Sequence, residues 1–230
     1  MSPDDQRTRP TIAEDLMLLL FQPDSGTIAG EGTLFYPLAG AVLADLSLGG
    51  HVTATPGKLG TLRLEAVSEA PPQDDILRST WDYLASKPRG VQTVLAAVGP
   101  SLRQPVLDRL VARGDIRRRR RKTLGLFTST ILEDGGTGSR SALISAVRQV
   151  LVDGDEPTAR VAALTALISA TGALPQLDRE IPWTSPVIAR AKELENGNWG
   201  AGAAAEAVTR TVAATVVNSV AVAVTTPPKT

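Results

Sequence analysis

Residues 38–55 read LAGAVLADLSLGGHVTAT, and the spacing of apolar side chains changes within this stretch. Up to residue 48 the apolar side chains recur at mostly helical spacing. Gly49 and Gly50 then end the predicted helix. Two β-rich runs follow at 51–55 and 61–67, separated by the turn sequence PGKLG. The stretch therefore predicts a helix followed by a hairpin, which is the outline of a winged unit.

A similar order occurs further along the chain. Residues 107–116, LDRLVARGDI, repeat the pattern of residues 43–52, LADLSLGGHV, and lead into predicted strands at 116–124 and 127–132. Other helical patterns occupy 13–21, 75–86, 91–98, 142–152, 158–170, 186–194 and 203–224, and a short strand is predicted at 27–29. We therefore predict a mainly α fold with a helical core and winged-helix-like β-hairpins, one of which protrudes.

The two ends of the chain bound the expected domain. The first ten residues are polar and contain no apolar signal segment, so we expect a disordered tail at 1–10 and a cytoplasmic protein. The apolar run 212–224 is interrupted by Thr215, Asn218 and Ser219, which favours a buried terminal helix over a membrane span. We expect a single domain at 11–226, composed of a first winged unit (11–70), a second winged unit with the basic hairpin (71–138) and a helical part (139–226), followed by a tail at 227–230.

The composition excludes many kinds of catalytic site. The 230 residues contain no Cys, which removes disulfides, thiolate nucleophiles, iron–sulfur clusters and Cys-containing zinc sites. His51 is the single histidine and cannot supply a second imidazole. The sequence contains neither a P-loop nor a Gly-x-Ser-x-Gly elbow. We therefore predict a protein that is not an enzyme and that uses no metal and no cofactor.

One segment concentrates the basic charge. Residues 117–122 read RRRRRK, and the rest of the chain has 18 basic against 24 acidic residues, a net charge of −6. Side chains alternate between the two faces of a strand. One face would carry Arg117, Arg119 and Arg121, and the other Arg118, Arg120 and Lys122. Neither face can then be a core face. The apolar residues Leu124, Leu126 and Phe127 follow at the predicted tip.

A basic hairpin with an apolar tip is typical of a contact with an anionic membrane surface. Each Lys or Arg near such a surface contributes about 1 kcal/mol, and the tip gains by burying hydrocarbon. The same hairpin could lie along nucleic-acid phosphates as a wing, although the predicted helix 38–48 carries no Lys or Arg and would make a poor recognition helix. A solvated hairpin, or an interaction scaffold that contacts another subunit, is the third alternative.

Four segments in chain order resemble a known family. They are TIAEDLMLLL at 11–20, GAVLADLSLGG at 40–50, RLVARG at 109–114 with the hairpin after it, and residues 159–174. Together they resemble the Golgi phosphoprotein 3 family, and the chain looks like a bacterial, actinobacterial member. The resemblance implies a mainly helical domain with a protruding hairpin. It also implies a peripheral membrane protein that recognises phosphatidylinositol 4-phosphate and, in eukaryotes, retains glycosyltransferases in the Golgi as an adaptor.

The resemblance carries over to this sequence only in part. Arg103 corresponds to one of two Arg residues of the family's lipid pocket, and the hairpin tip corresponds to its membrane-dipping hairpin. No Trp occurs at 31–35, where the family has one, and Ala39 stands in place of a helix-start Arg. Of the family's basic N-terminal tail, only Arg7 and Arg9 are present.

The sequence therefore predicts a non-enzymatic adaptor that binds a phosphoinositide-type anionic lipid and associates peripherally with the cytoplasmic face of the inner membrane. In this hypothesis Arg103 and the basic run contact head groups and the apolar tip inserts. Client membrane proteins and a second copy of the chain, reached through the hairpin, are further expected partners. Nucleic acid is a less favoured partner.

Overall fold

The computed structural model describes residues 9–57, 61–123, 127–197 and 203–225, with side chains left out at 121–123, 127–129, 203–204 and 219–225. Eight α-helices lie within the described residues: α1 (Ile12–Leu20), α2 (Phe35–Leu48), α3 (Asp75–Ala85), α4 (Val91–Arg113), α5 (Ser139–Arg148), α6 (Ala159–Ala170), α7 (Ser185–Glu195) and α8 (Ala203–Thr225). Short 3-10 turns occupy Glu31–Thr33 and Leu174–Leu177, and a π-helical turn, Gln149–Asp153, extends α5. The predicted mainly α fold is confirmed.

Within the described ranges the strands form three small antiparallel sheets. They are β1 (Phe21–Gln22), β2 (Thr27–Ile28), β3 (Val52–Pro56), β4 (Leu62–Ala66), β5 (Arg89–Gly90), β6 (Ile116–Thr123) and β7 (Phe127–Asp134). The sheet orders are β1–β2, β3–β4–β5 and β6–β7. Both predicted hairpins are therefore confirmed, each directly after a helix that a glycine ends. The sequence pattern missed the two short strands β1 and β5.

The helical core is built from small and medium-sized apolar residues. Every residue of α1 is buried, and so is most of α2 and α6. The spacing of Thr11 and Glu14 predicts a capping box at the start of α1, and the box is present. Glu14 N–H donates to the Thr11 hydroxyl, and Thr11 N–H donates to the Glu14 carboxylate at 2.8 Å. A Cβ at Gly40 would lie 2.2 Å from Cγ1 of Val212, so α8 packs directly on α2 there.

Helix α4 differs from the sequence expectation. The pattern predicts a helix at 91–98 and a separate helical end near 107, whereas α4 runs for 23 residues through Pro100 and Pro105. Each proline removes one helical hydrogen bond, and tertiary packing offsets that loss. A Cβ at Gly99 would lie 2.5 Å from the carbonyl oxygen of Phe35, which shows how closely α4 approaches the start of α2.

A buried ionic network joins three helices at the start of the chain. Arg160 of α6 donates to Asp15 of α1 at 2.6 Å, to Asp45 of α2 at 3.1 Å and to the Pro10 carbonyl at 2.5 Å. Asp45 also accepts the backbone N–H of Ile12 at 2.5 Å. The side chains of Arg160 and both aspartates are at most 16% exposed. The arginine therefore fixes α1, α2 and α6 relative to one another.

This network predicts a pH-dependent stability. Burial raises the pKa of Asp45 to about 7, against the opposing effects of Arg160 and of the Ile12 N–H. A buried acid with a raised pKa keeps a proton that the unfolded chain releases, so its contribution to stability is largest below about pH 4 and is lost as pH rises toward 7. We expect the free energy of unfolding in urea to be about 2 kcal/mol higher near pH 5 than near pH 8. Burial raises the pKa of Asp15 as well, which acts in the same direction.

The control for this expectation is Asp45→Asn, which removes the titrating group. The variant should lose most of the pH dependence between about pH 5 and about pH 8. An unchanged slope in Asp45→Asn would show that another group is responsible.

Candidate functional site

Strands β6 and β7 form a two-stranded arm, residues 116–134, that carries the basic run. Their register pairs Arg117 with Glu133, Arg118 with Leu132, Arg119 with Ile131 and Arg120 with Thr130. The side chains of these four arginines, which alternate between the two faces of β6, are all exposed. Four neighbouring guanidinium groups are thus accessible to solvent.

The root of the arm is tightly fixed. Asp115 is 2% exposed and accepts hydrogen bonds from the Thr137 hydroxyl and from Nε of Arg113, each at 2.5 Å. Gly135 N–H donates to the Asp115 carbonyl at 2.9 Å, and a Cβ at Gly135 would lie 1.6 Å from the Gly114 carbonyl oxygen. Only glycine fits at 135 without moving the backbone. The direction in which the arm leaves the body is therefore set by its root.

Near the root, one face of the arm is turned toward the body. Leu132 packs against the core, and a Cβ at Gly26 would lie 2.6 Å from its carbonyl oxygen. Arg118, on the same face, donates to Asp108 of α4 at 2.6 Å. On the opposite face, Arg119 donates to Glu133 at 3.1 Å. Arg117 shares this outer face with Arg119.

The remaining predicted site residues are placed as follows. Arg103 lies on α4, where its Nε donates to the carboxylate of Glu31 in the 3-10 turn Glu31–Thr33. Arg103 is therefore on the same helix as Asp108, the partner of Arg118, and lies about 7.5 Å closer to the N-terminal end of that helix. The side chains of Arg121, Lys122 and Phe127 lie outside the described residues, and so do Leu124 and Leu126 entirely.

Sequence reasoning missed the acidic partners of these basic side chains. Glu31, Asp108 and Glu133 each hold one arginine of the predicted site. A hydrogen bond from Gln104 and the contact with Arg118 lower the pKa of Asp108. Gln104 and Asp108 are four residues apart, a spacing that brings side chains together on a helix, so their hydrogen bond could have been predicted from the local sequence. The contact between Glu31 and Arg103 joins positions 72 residues apart, and no local pattern reveals it.

Other concave surfaces are lined by acids and bases in similar numbers. Two adjoining cavities of about 230 and 400 Å³ share Arg9, Pro10, Gln73 and Asp74. A third, of about 460 Å³, lies near Arg140. Within the described ranges no group of His, Asp and Glu side chains is arranged to hold a metal ion.

Removing the charge of Asp115 should loosen the arm at its root. Burial raises the pKa of Asp115, but hydrogen bonds from Thr137, Ser139 and Arg113 outweigh it, so the pKa lies below its ordinary value. We expect Asp115→Asn to lower the free energy of unfolding in urea by about 1–3 kcal/mol near neutral pH, because Arg113 and Thr137 lose a charged acceptor. The difference from the wild type should shrink as pH falls below about 4, where the wild-type carboxylate takes up its proton.

Asp134→Asn is the matched control, since Asp134 is exposed at the end of the same arm. This substitution should change stability by less than about 0.5 kcal/mol. Equal effects of the two substitutions would contradict the role given to Asp115.

Comparison with known proteins places the chain in a family. The family model of Golgi phosphoprotein 3 (GPP34) matches residues 12–211, which span α1 to the first part of α8 and include the arm. No curated protein matches the chain. In the part of the chain that the structure describes, every helix is too short or too polar to cross a membrane. By the extent of the family match, the chain belongs to the Golgi phosphoprotein 3 (GPP34) family.

Proposed function

We propose that this GPP34-family chain is a non-enzymatic peripheral membrane protein that docks on anionic phospholipid through the arm. The observation that carries the proposal is the row of four exposed arginines, Arg117 to Arg120, on a firmly rooted hairpin. A membrane is a wide anionic surface, so it can contact several of these exposed arginines at once.

The charge distribution favours one orientation of the chain on the membrane. Each Arg near an anionic surface contributes about 1 kcal/mol, so the four arginines together supply up to about 4 kcal/mol. Outside the basic run the chain has a net charge of −6, which disfavours approach by its other faces. Leu124, Leu126 and Phe127 would add a hydrophobic contribution by inserting at the tip.

Recognition of a phosphoinositide head group is the narrower form of this proposal. It is supported by the family match and by Arg103 on α4. Ala39, at the position of a family arginine, is fully buried and supplies no charge. In this proposal the membrane is the cytoplasmic leaflet of the inner membrane, which presupposes the predicted bacterial source. Client membrane proteins would be held there by the docked chain acting as an adaptor.

The alternative of a winged-helix-like nucleic-acid-binding protein has less support. Helix α2 precedes the first hairpin, in the place of a recognition helix, but it carries no Lys or Arg and is buried over most of its length. A helix buried on this scale has no face to place in a groove.

The test is flotation of the full chain with vesicles of phosphatidylglycerol in phosphatidylcholine. A variant with Arg117, Arg118, Arg119 and Arg120 all replaced by Gln should bind about 100-fold more weakly. Binding of the wild type should weaken as salt is added, because salt screens exposed charges.

The matched control replaces four other arginines by Gln: Arg78, Arg148, Arg179 and Arg190. All four lie outside the arm, and each is paired with an acid. Both variants change the net charge equally, so equal losses would contradict a specific role for the arm. Tighter wild-type binding to mixed DNA than to the vesicles, in a mobility-shift assay at the same salt, would favour the nucleic-acid alternative.

A further inference from the structure

The basic side chains of the proposed membrane contact are not all free. The structure describes five of them, and three of these are paired with a carboxylate of the same chain. The pairs are Arg103 with Glu31, Arg118 with Asp108, and Arg119 with Glu133. Among the described side chains, Arg117 and Arg120 have no such partner. The five described cations and three anions sum to +2, and Arg121 and Lys122, whose side chains lie outside the described residues, add two positive charges to the contact.

All three carboxylates are partly exposed to solvent. The side chain of Asp108 is 51% exposed, that of Glu31 48% and that of Glu133 39%. Asp108 is also held in place by Gln104, whose amide donates to it at 2.9 Å. The acids therefore occupy the positions beside each guanidinium where a phosphate oxygen would bind.

A lipid phosphate and a carboxylate offer an arginine the same kind of hydrogen-bond acceptor. A phosphate that reaches one of these three arginines must displace the carboxylate or lie beside it and be repelled by it. Exposed ion pairs contribute at most about 1 kcal/mol, so displacement is feasible but reduces the gain from each contact. Among the described arginines, sparse anionic lipid would then be held by Arg117 and Arg120.

We infer that Glu31, Asp108 and Glu133 are built-in competitors of lipid phosphate and set the density of anionic lipid at which the chain docks. The inference rests on the proposed function and concerns the same surface. A dense phosphodiester surface supplies many phosphates at once and displaces the acids together. A surface with few anionic lipids does not, and the chain stays in solution.

The experiment titrates phosphatidylglycerol in phosphatidylcholine vesicles against the full chain. A variant carrying Glu31→Gln, Asp108→Asn and Glu133→Gln should dock at a lower fraction of phosphatidylglycerol than the wild type. Removing each negative charge near the membrane should raise the apparent affinity about fivefold, and all three together about 100-fold. Asp108→Asn alone should raise the apparent affinity about fivefold.

The matched control is the triple variant Asp82→Asn, Asp153→Asn and Glu193→Gln. Each of these acids is 41–58% exposed and paired with one arginine, but none lies on the arm or on α4. Its change in net charge is identical, and its affinity should stay within about threefold of the wild type. Urea unfolding of both triple variants should match the wild type within about 1 kcal/mol, because all six pairs are at the surface.

The outcomes separate the inference from the function on which it rests. If the wild type binds dense phosphatidylglycerol but the first triple variant binds no tighter, the inference is wrong and the proposed function stands. Equal tightening in both triple variants also overturns the inference, since net charge alone would then explain it. If neither the wild type nor the first triple variant binds at the highest phosphatidylglycerol fraction, the inference and the proposed function are both wrong.

Discussion

Consecutive cations on a β-strand cannot be buried, and this constraint determines how the arm is placed relative to the body. A strand presents its side chains alternately to two faces, so a run of arginines gives it no face for the core. Strand β6 consequently leaves the body after Ile116, which is fully buried, and is exposed from Arg117 to Arg120. Among the described strands, its sheet partner is β7.

An element that gains so little from burial needs a strong anchor. The anchor is polar. Asp115 accepts hydrogen bonds from Thr137 and Arg113, and Arg113 also donates to Glu14 at 2.8 Å. Glu14 belongs to the capping box of α1, and its neighbour Asp15 is held by Arg160. A continuous set of buried or half-buried ionic contacts therefore leads from the start of the chain to the root of the arm. The arm is therefore connected to the helical core through ion pairs.

How much the sequence predicted depends on the range of each interaction. The capping box, the ends of α2, the two hairpins and the exposed basic run follow from local spacing, and the structure has them at nearly the predicted positions. Helix α4 was predicted in two pieces because Pro100 and Pro105 locally disfavour a helix. In the structure, tertiary packing overrides that preference and the helix is continuous. The network around Arg160 joins residues 115 and 145 positions apart, and no local pattern contains that information.

The same distinction applies to the candidate site. The cations were visible as a run, whereas Glu31 and Asp108 became part of the site only when the fold placed α4 beside the 3-10 turn and the arm. The average charge of the chain, zero, conceals this arrangement. The insertion of Leu124 and Leu126 and the bacterial source stay predictions.

The central claim is that the arm is the part of the chain that meets the membrane. The chain has no Cys, so Thr130→Cys on the exposed side of β7 and Ala189→Cys on the exposed side of α7 each create a single labelling site. The measurement is the accessibility of a fluorophore at each site to a water-soluble quencher, with and without phosphatidylglycerol vesicles. The label at 130 should become shielded by the vesicles and the label at 189 should not. Shielding at 189 with full access at 130 would contradict the account.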